Sequence, residues 1–444
     1  MRQLLLIGCL LWLTAGCDTG SGTIGDIETD SFELDEKLER LITLEGQRKL
    51  DNFILPSSTD YSQIPQDPRN PLTADKVLLG QLLFHEPALS LYTKRVEGRG
   101  TVSCATCHHA KAGFAAGRQQ SIGEGGSGWG EKGEARRPSS AFPLEDVDAT
   151  PMRSPSILNV AYQRVMLWSG AAGANGPNKD TSPNWSDEGD TRFNALGYDG
   201  VETQAILALS NHRLGKVSDS ILSTNATYQT LWNRVFPGEP ISDEKAGLAI
   251  AAFERTVLAS ESPFQKWLKG DYRAMTLAQK RGAMVFFGPS KCSDCHTGPA
   301  LNAMAFYALG MRDLSGPSVI KAPSENLGRG GFLRSAASNY TFKVPQLYNM
   351  KNSPFLGHGG RFLSVQSVVD YYEVGLPEMN LPPGTVTDQF HPLVLTAQEK
   401  ADLVVFLEDA LRDPNLKRYE PTSVPSGGCI PANDAQARLD LGCN

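Results

Sequence analysis

Two short stretches decide the fold: CATCH at residues 104–108 and CSDCH at residues 292–296. Cys-x-x-Cys-His is how a polypeptide holds haem covalently. Its two thiols, three positions apart, meet the two vinyl groups on one edge of the porphyrin, and the adjacent His reaches the iron as an axial ligand. A single match would also suit half of a zinc site or a redox cysteine pair. Two complete copies do not, because a four-ligand zinc site would have to borrow from both and would leave each trailing His without a reason. The chain therefore reads as a carrier of two covalently bound haem c groups. One is held by Cys104, Cys107 and His108, the other by Cys292, Cys295 and His296.

Outward from these motifs the pattern is helical. Amphipathic or capped runs predict helices over 34–50, 73–83, 201–209, 243–260 (behind a Ser242 cap), 276–287 and 396–411 (behind a Thr396 cap). Gly- and Pro-rich stretches at 121–155, 170–200 and 308–339 are longer than ordinary loops. In a haem protein they make sense, because the cofactor replaces side chains as the core and loops wrap it. No strong run of alternating apolar residues argues for a large sheet. The segments LLGQLLFHEPALS before the first motif and RGAMVFFGPSKCSDCH around the second are alike in kind. That echo predicts a mainly α fold of two cytochrome c-like domains, each wrapping one haem. The expected division is 33–235, 236–411 with part packing back on the first domain, and a tail over 412–444.

The N-terminus carries Arg2, an apolar run over 4–13 and then LTAGC ending at Cys17. Charge, short apolar core and small residues describe an export signal. With its Cys, it resembles the lipoprotein signal of bacteria. That resemblance implies removal of 1–16, lipid on Cys17 and a periplasmic protein anchored through that lipid alone, with Asp18 favouring the inner membrane. Residues 17–32 read as a flexible tether. Of eight Cys, Cys9 leaves with the signal, Cys17 takes lipid and four hold haem. Cys429 and Cys443 remain, and an oxidising compartment would let them pair. Net charge is -7, with 42 basic and 49 acidic residues, which gives no case for nucleic acid.

Across 73–410 run GQLLFHEPALS, GTVSCATCH, SIGEG, RSPSILNVAYQ, LWSG, VETQA, SPFQKWLKGD, KRGAMVFFGPSKCSDCH, FKVPQLYNM and FLGHGG. With these the chain resembles the bacterial di-haem cytochrome c peroxidases and the related di-haem enzyme that forms the tryptophan-derived quinone of methylamine dehydrogenase. The resemblance implies reduction of hydrogen peroxide to water at the first haem. Electrons would come through the second from a small periplasmic donor, a cytochrome c or similar, and the enzyme would be a homodimer. It makes His108 the proximal ligand of the peroxide-facing haem and His296 that of the transfer haem. Trp168 falls between the haems as an electron relay, and Gln204 in the peroxide pocket. Tyr372 falls where the second iron takes its other ligand, with Tyr371 the neighbouring alternative. His85 falls near the first haem edge, and His358 in the second domain's pocket. An inter-haem calcium would use Ser154, where the family has Asn, and the carbonyls of Ser353 and Phe355.

Two positions depart from the family. Glu124 in SIGEG replaces a displaceable His, so the first haem is expected to be open unless Glu124 binds it weakly. The family's Glu base, downstream of the pocket Gln, is absent, and its local match is His212-Arg213-Leu214. His212 would serve as base and Arg213 would stabilise leaving hydroxide, or Arg213 would pair with a haem propionate and His212 lie on the surface. His109 reads as exposed or as a propionate partner. Two other functions stay open. One is an oxidase acting on a partner protein or small molecule through high-valent haem iron. The other is a non-enzymatic electron carrier.

Overall fold

A computed structural model of the chain describes residues 24–44, 46–316, 319–320 and 326–443. The export signal, Cys17 and the start of the tether lie outside the described residues. The tether is shorter than expected, because a helix, α1 (Ile24–Thr43), already covers its second half. Then follow α2 (Ala74–His85), α3 (Gly200–Asn211), α4 (Ala226–Val235), α5 (Asp243–Thr256), α6 (Pro263–Leu268) and α7 (Leu277–Phe287). The remaining helices are α8 (Cys292–Cys295), α9 (Arg329–Leu333), α10 (Val365–Val374), α11 (Ala397–Val405) and α12 (Ala435–Leu441). Their starts follow local chemistry. Thr73, Ser242, Thr276 and Thr396 each accept a hydrogen bond from the backbone N–H three residues on. Gln279 and Glu399 return the bond in capping boxes. Strand structure among the described residues is two short antiparallel ribbons: β1 (Gly126–Ser127) with β2 (Arg137–Pro138), and β3 (Phe306–Tyr307) with β4 (Phe342–Lys343).

The internal echo is physical. α2 crosses α5 where a Cβ on Gly80 would lie 1.8 Å from the Ala249 carbonyl oxygen and 3.0 Å from Phe253 Cβ. α7 crosses α11 where a Cβ on Gly282 would lie 1.9 Å from the Asp402 oxygen and 2.7 Å from Phe406 Cβ. Each helix that leads to a haem motif thus uses one glycine to bring two backbones together, against a partner with an aromatic one turn on. The boundary expected near 235 runs through the first of these pairs. α5 packs on α2 and α3, and a buried ion pair from Arg255 to Glu202 ties it to α3, so it belongs with the first motif. α1 packs instead on α7, Lys280 reaching Asp35 at 2.7 Å. A single apolar core runs from Leu38 to Tyr419 across both halves. No helix among the described residues is long and apolar enough to cross a membrane.

The tail returns to the first half. Cys429 and Cys443 form a disulfide. The Pro431 carbonyl accepts from Thr106 Oγ1 at 2.7 Å, Asn433 N–H donates to Thr101 O at 2.9 Å, and Asp434 meets buried Arg136 at 2.8 Å. The chain's last residues therefore grip the loop that carries the first haem motif.

Candidate functional site

Each motif presents the same donor set in the same pose. His108 Nδ1 lies 3.2 Å from the Phe114 carbonyl, and His296 Nδ1 lies 3.0 Å from that of Leu301 and 3.1 Å from that of Pro345. An Nδ1–H given to a carbonyl fixes the tautomer and leaves Nε2 as the ligand atom. Burial pushes both imidazoles down to about 4, so both are neutral and ready to bind a metal. Beside His296 opens a cavity of about 440 Å³ lined by Cys292, Cys295, His358, Met311 and Tyr372. Thiol pair, oriented imidazole and apolar cavity fit a covalently held haem.

Tyr372 and its neighbour are distinct. The Tyr371 hydroxyl donates to the Leu309 carbonyl at 2.6 Å, and its ring stacks on Phe390 at 5.0 Å. Only Tyr372 of the two lines the cavity, and burial raises its hydroxyl pKa. Trp168 also lines this cavity, its Nε1–H donating to the Arg153 carbonyl at 2.8 Å. Its ring stands 6.2 Å from His358, which stacks on Phe342 at 3.8 Å and meets Asp313 at 3.0 Å. Trp168 is thus fixed at the edge of the second site.

At the first site two acids meet the two residues that follow α3. Glu124 is fully buried; its Oε2 pairs with Arg213 and its Oε1 accepts Arg95 N–H at 3.1 Å. Arg213 also donates to the Asp146 carbonyl at 2.7 Å. Glu124 and Arg213 thus neutralise each other. The His212 side chain is 41% exposed, with Nδ1 3.0 Å from Asp148 Oδ2. The charge of Asp148 holds it above the ordinary histidine range, against burial. The charge of His212 lowers the proton affinity of His108, and that of Asp148 raises the proton affinity of Cys107. Gln204 points an unpartnered buried Oε1 from α3.

Two expected features change. His109 is buried, its ring edge-on to Trp129 at 4.9 Å. Two of the three calcium donors are engaged: Ser154 Oγ bonds Ser121 Oγ at 2.6 Å, and the Phe355 carbonyl accepts from Ser353 Oγ at 2.9 Å. Buried Arg153 bonds both Ser353 Oγ and the Ser154 carbonyl. With a fixed positive charge on these groups and no carboxylate among them, they do not fit calcium. His85 is buried against Phe84 and Phe253. Sequence reasoning missed Asp148, which no motif marks.

Residues 74–273 match the family described as di-haem cytochrome c peroxidase. The chain belongs to the bacterial di-haem cytochrome c peroxidase family. It is an oxidoreductase of the peroxidase type, with c-type haem as cofactor. Among relatives of this di-haem enzyme is the methylamine utilization protein MauG of Methylorubrum extorquens. The two are 28% identical over 360 residues, 79% of this chain and 82% of the relative. Cytochrome c peroxidase Ccp of Escherichia coli is 28% identical over 361 residues, 80% of this chain and 65% of that one. The fold is that of a MauG-like protein associated with microbial copper homeostasis, at a TM-score of 0.56 and 24% identity, over 82% of this chain and 96% of that one.

Proposed function

We propose that the chain is an exported di-haem peroxidase. It reduces hydrogen peroxide to water at the first motif, with electrons from a small periplasmic donor passing through the second. The observation that carries this reading is the His212–Asp148 pair. It supplies a base at the first motif although the family Glu is missing. Haem, when bound, supplies the iron that takes peroxide and the electrons that reduce it. The chain's own part is proton handling and placement. His212 accepts a proton from one peroxide oxygen at Nε2 and returns it to the other, which leaves as water. The Glu124–Arg213 pair keeps a charged carboxylate neutralised beside this step. Trp168, pinned by Arg153, offers an aromatic stop between the two sites. The lipoprotein-like start supports attachment to the periplasmic face of the inner membrane through Cys17. Stopped-flow mixing with peroxide, fully ferric and then half-reduced, tests the reading. Rapid change at the first haem supports it, and no change in either state would favour a simple electron carrier.

Because Glu124 is committed to Arg213, the first iron should lack a sixth protein ligand. Low-temperature electron paramagnetic resonance of the ferric protein should show one high-spin and one low-spin centre, unaltered in kind by Glu124→Ala. Two low-spin centres would mean that another residue binds.

Tyr372 favours a second reading, an oxidase acting on a partner protein or small molecule. A phenolate ligand stabilises oxidised iron and lowers the potential of the second haem. Tyr372→Phe should remove the phenolate charge-transfer band and raise that potential, whereas Tyr371→Phe should do neither. An unchanged spectrum and potential in Tyr372→Phe would exclude it as ligand.

A further inference from the structure

We propose that Asp148 is the positioning residue for His212, the two forming a carboxylate–imidazole dyad in place of the family's single carboxylate base. The proposal rests on the peroxidase reading above and adds to it a residue with no counterpart among the family motifs.

The geometry begins with the backbone. The SIGEG loop runs antiparallel to the segment that carries Asp148. Ile122 bridges Ala149, Gly123 N–H donates to the Asp148 carbonyl at 2.8 Å, and Asp148 N–H donates to that of Glu124 at 2.9 Å. Bonds on both sides of the residue fix where its side chain starts. The carboxylate then lies over Gly123, where a Cβ would fall 2.3 Å from Oδ2. A side chain at 123 would push the carboxylate aside. A parallel device holds the other acid, since a Cβ on Gly98 would fall 2.6 Å from Glu124 Oε1.

His212 is equally fixed. Its N–H donates to the Ala208 carbonyl at 3.0 Å as the last turn of α3 closes, and Arg213 turns the chain away with φ 59°. Leu214 N–H then bonds the Leu209 carbonyl at 2.8 Å, a left-handed helix end on a residue that is not glycine.

Two charged groups act on this imidazole. Asp148 attracts its proton and Arg213 repels it. Glu124 is neutralised by Arg213, and His108 is near enough to sense its charge. The C-terminal end of α3 adds a partial negative charge that favours the protonated form. Asp148 does two things. It holds the proton on Nδ1, so the lone pair stays on Nε2, and it strengthens that lone pair as a base. The overall reaction, H2O2 + 2 e⁻ + 2 H⁺ → 2 H2O, leaves His212 unchanged, because the proton it borrows from one oxygen goes back to the other. The electrons come from the donor of the peroxidase reading.

The test has two readouts in the parent, Asp148→Asn, Asp148→Ala, Gly123→Ala and His212→Ala: the titration of the His212 imidazole followed by nuclear magnetic resonance without peroxide, and the pH dependence of the bimolecular peroxide rate per haem-loaded protein. In the parent the rate should fall on acidification through a value above the ordinary histidine pKa of about 6.5. In Asp148→Asn that limb should move to lower pH with a modest loss at the plateau, because the amide oxygen still accepts from Nδ1. Asp148→Ala should lose about tenfold or more at the plateau. Gly123→Ala, which displaces the carboxylate without removing a titratable group, should shift the limb the same way. A parent limb at or below the ordinary histidine value overturns the dyad, even if no variant loads haem. So does an unmoved limb in both Asp148→Asn and Gly123→Ala while His212→Ala is slow. If His212→Ala matches the parent in rate and profile, the peroxidase base itself is misassigned, a failure distinct from that of the dyad.

Discussion

Replacing His212 with alanine is expected to slow the reaction with peroxide by about 10²–10⁴-fold, the usual cost of losing a general base. The acid limb of the pH profile should also vanish. Its direction follows from the pairing: Asp148 raises the proton affinity of His212, so the neutral, competent imidazole exists only on the alkaline side of that raised value. Acidification fills Nε2 and removes the base. Arg213→Ala should behave differently. It leaves Glu124 buried without its partner, so its first effect should be on the stability and haem content of the pocket rather than on the acid limb. Parent rates in His212→Ala, measured at the first haem, would remove His212 from the reaction.

Cutting the ion pair between α3 and α5 should have the largest effect on stability. Arg255 and Glu202 are 1% and 0% exposed, and their two bonds are 2.7 Å and 2.6 Å. Arg255→Met keeps much of the volume but strands the Glu202 carboxylate, with only Asn70 at 3.3 Å as a neutral partner. Removing one partner of a buried pair costs about 3–5 kcal/mol. The midpoint of chemical denaturation should fall accordingly, while the double variant Arg255→Met/Glu202→Leu should recover part of the loss. A midpoint within error of the parent for Arg255→Met would show that water reaches the stranded carboxylate.

The sequence was most legible where chemistry is local. The haem motifs depend on residues within five positions of one another, and the structure orients both His side chains as such ligands require. Caps at Ser242 and Thr396 depend on four, and both are present. Pairing of Cys429 with Cys443 followed from elimination among eight cysteines. What could not be read is what the long loops bring together. Asp148 reaches His212 across 64 positions, and nothing in Val147-Asp148-Ala149 marks it. The place of α5 depends on Gly80, whose meaning appears only when Ala249 is seen against it. A domain boundary drawn from chain position could not anticipate that helix packing would return α5 to the first half.

The grip of the tail on Thr101 and Thr106 sets an order of assembly. Thr106 Oγ1 and the Pro431 carbonyl are 325 positions apart. The loop that holds Cys104 and Cys107 therefore cannot reach its final packing until almost the whole chain has emerged. A chain that emerges from its N-terminus leaves that loop unlocked until the segment around Pro431 follows. Docking of the last residues then closes the loop. In this protein the segment around Pro431 is a late stitch on the loop that carries the first Cys-x-x-Cys-His motif.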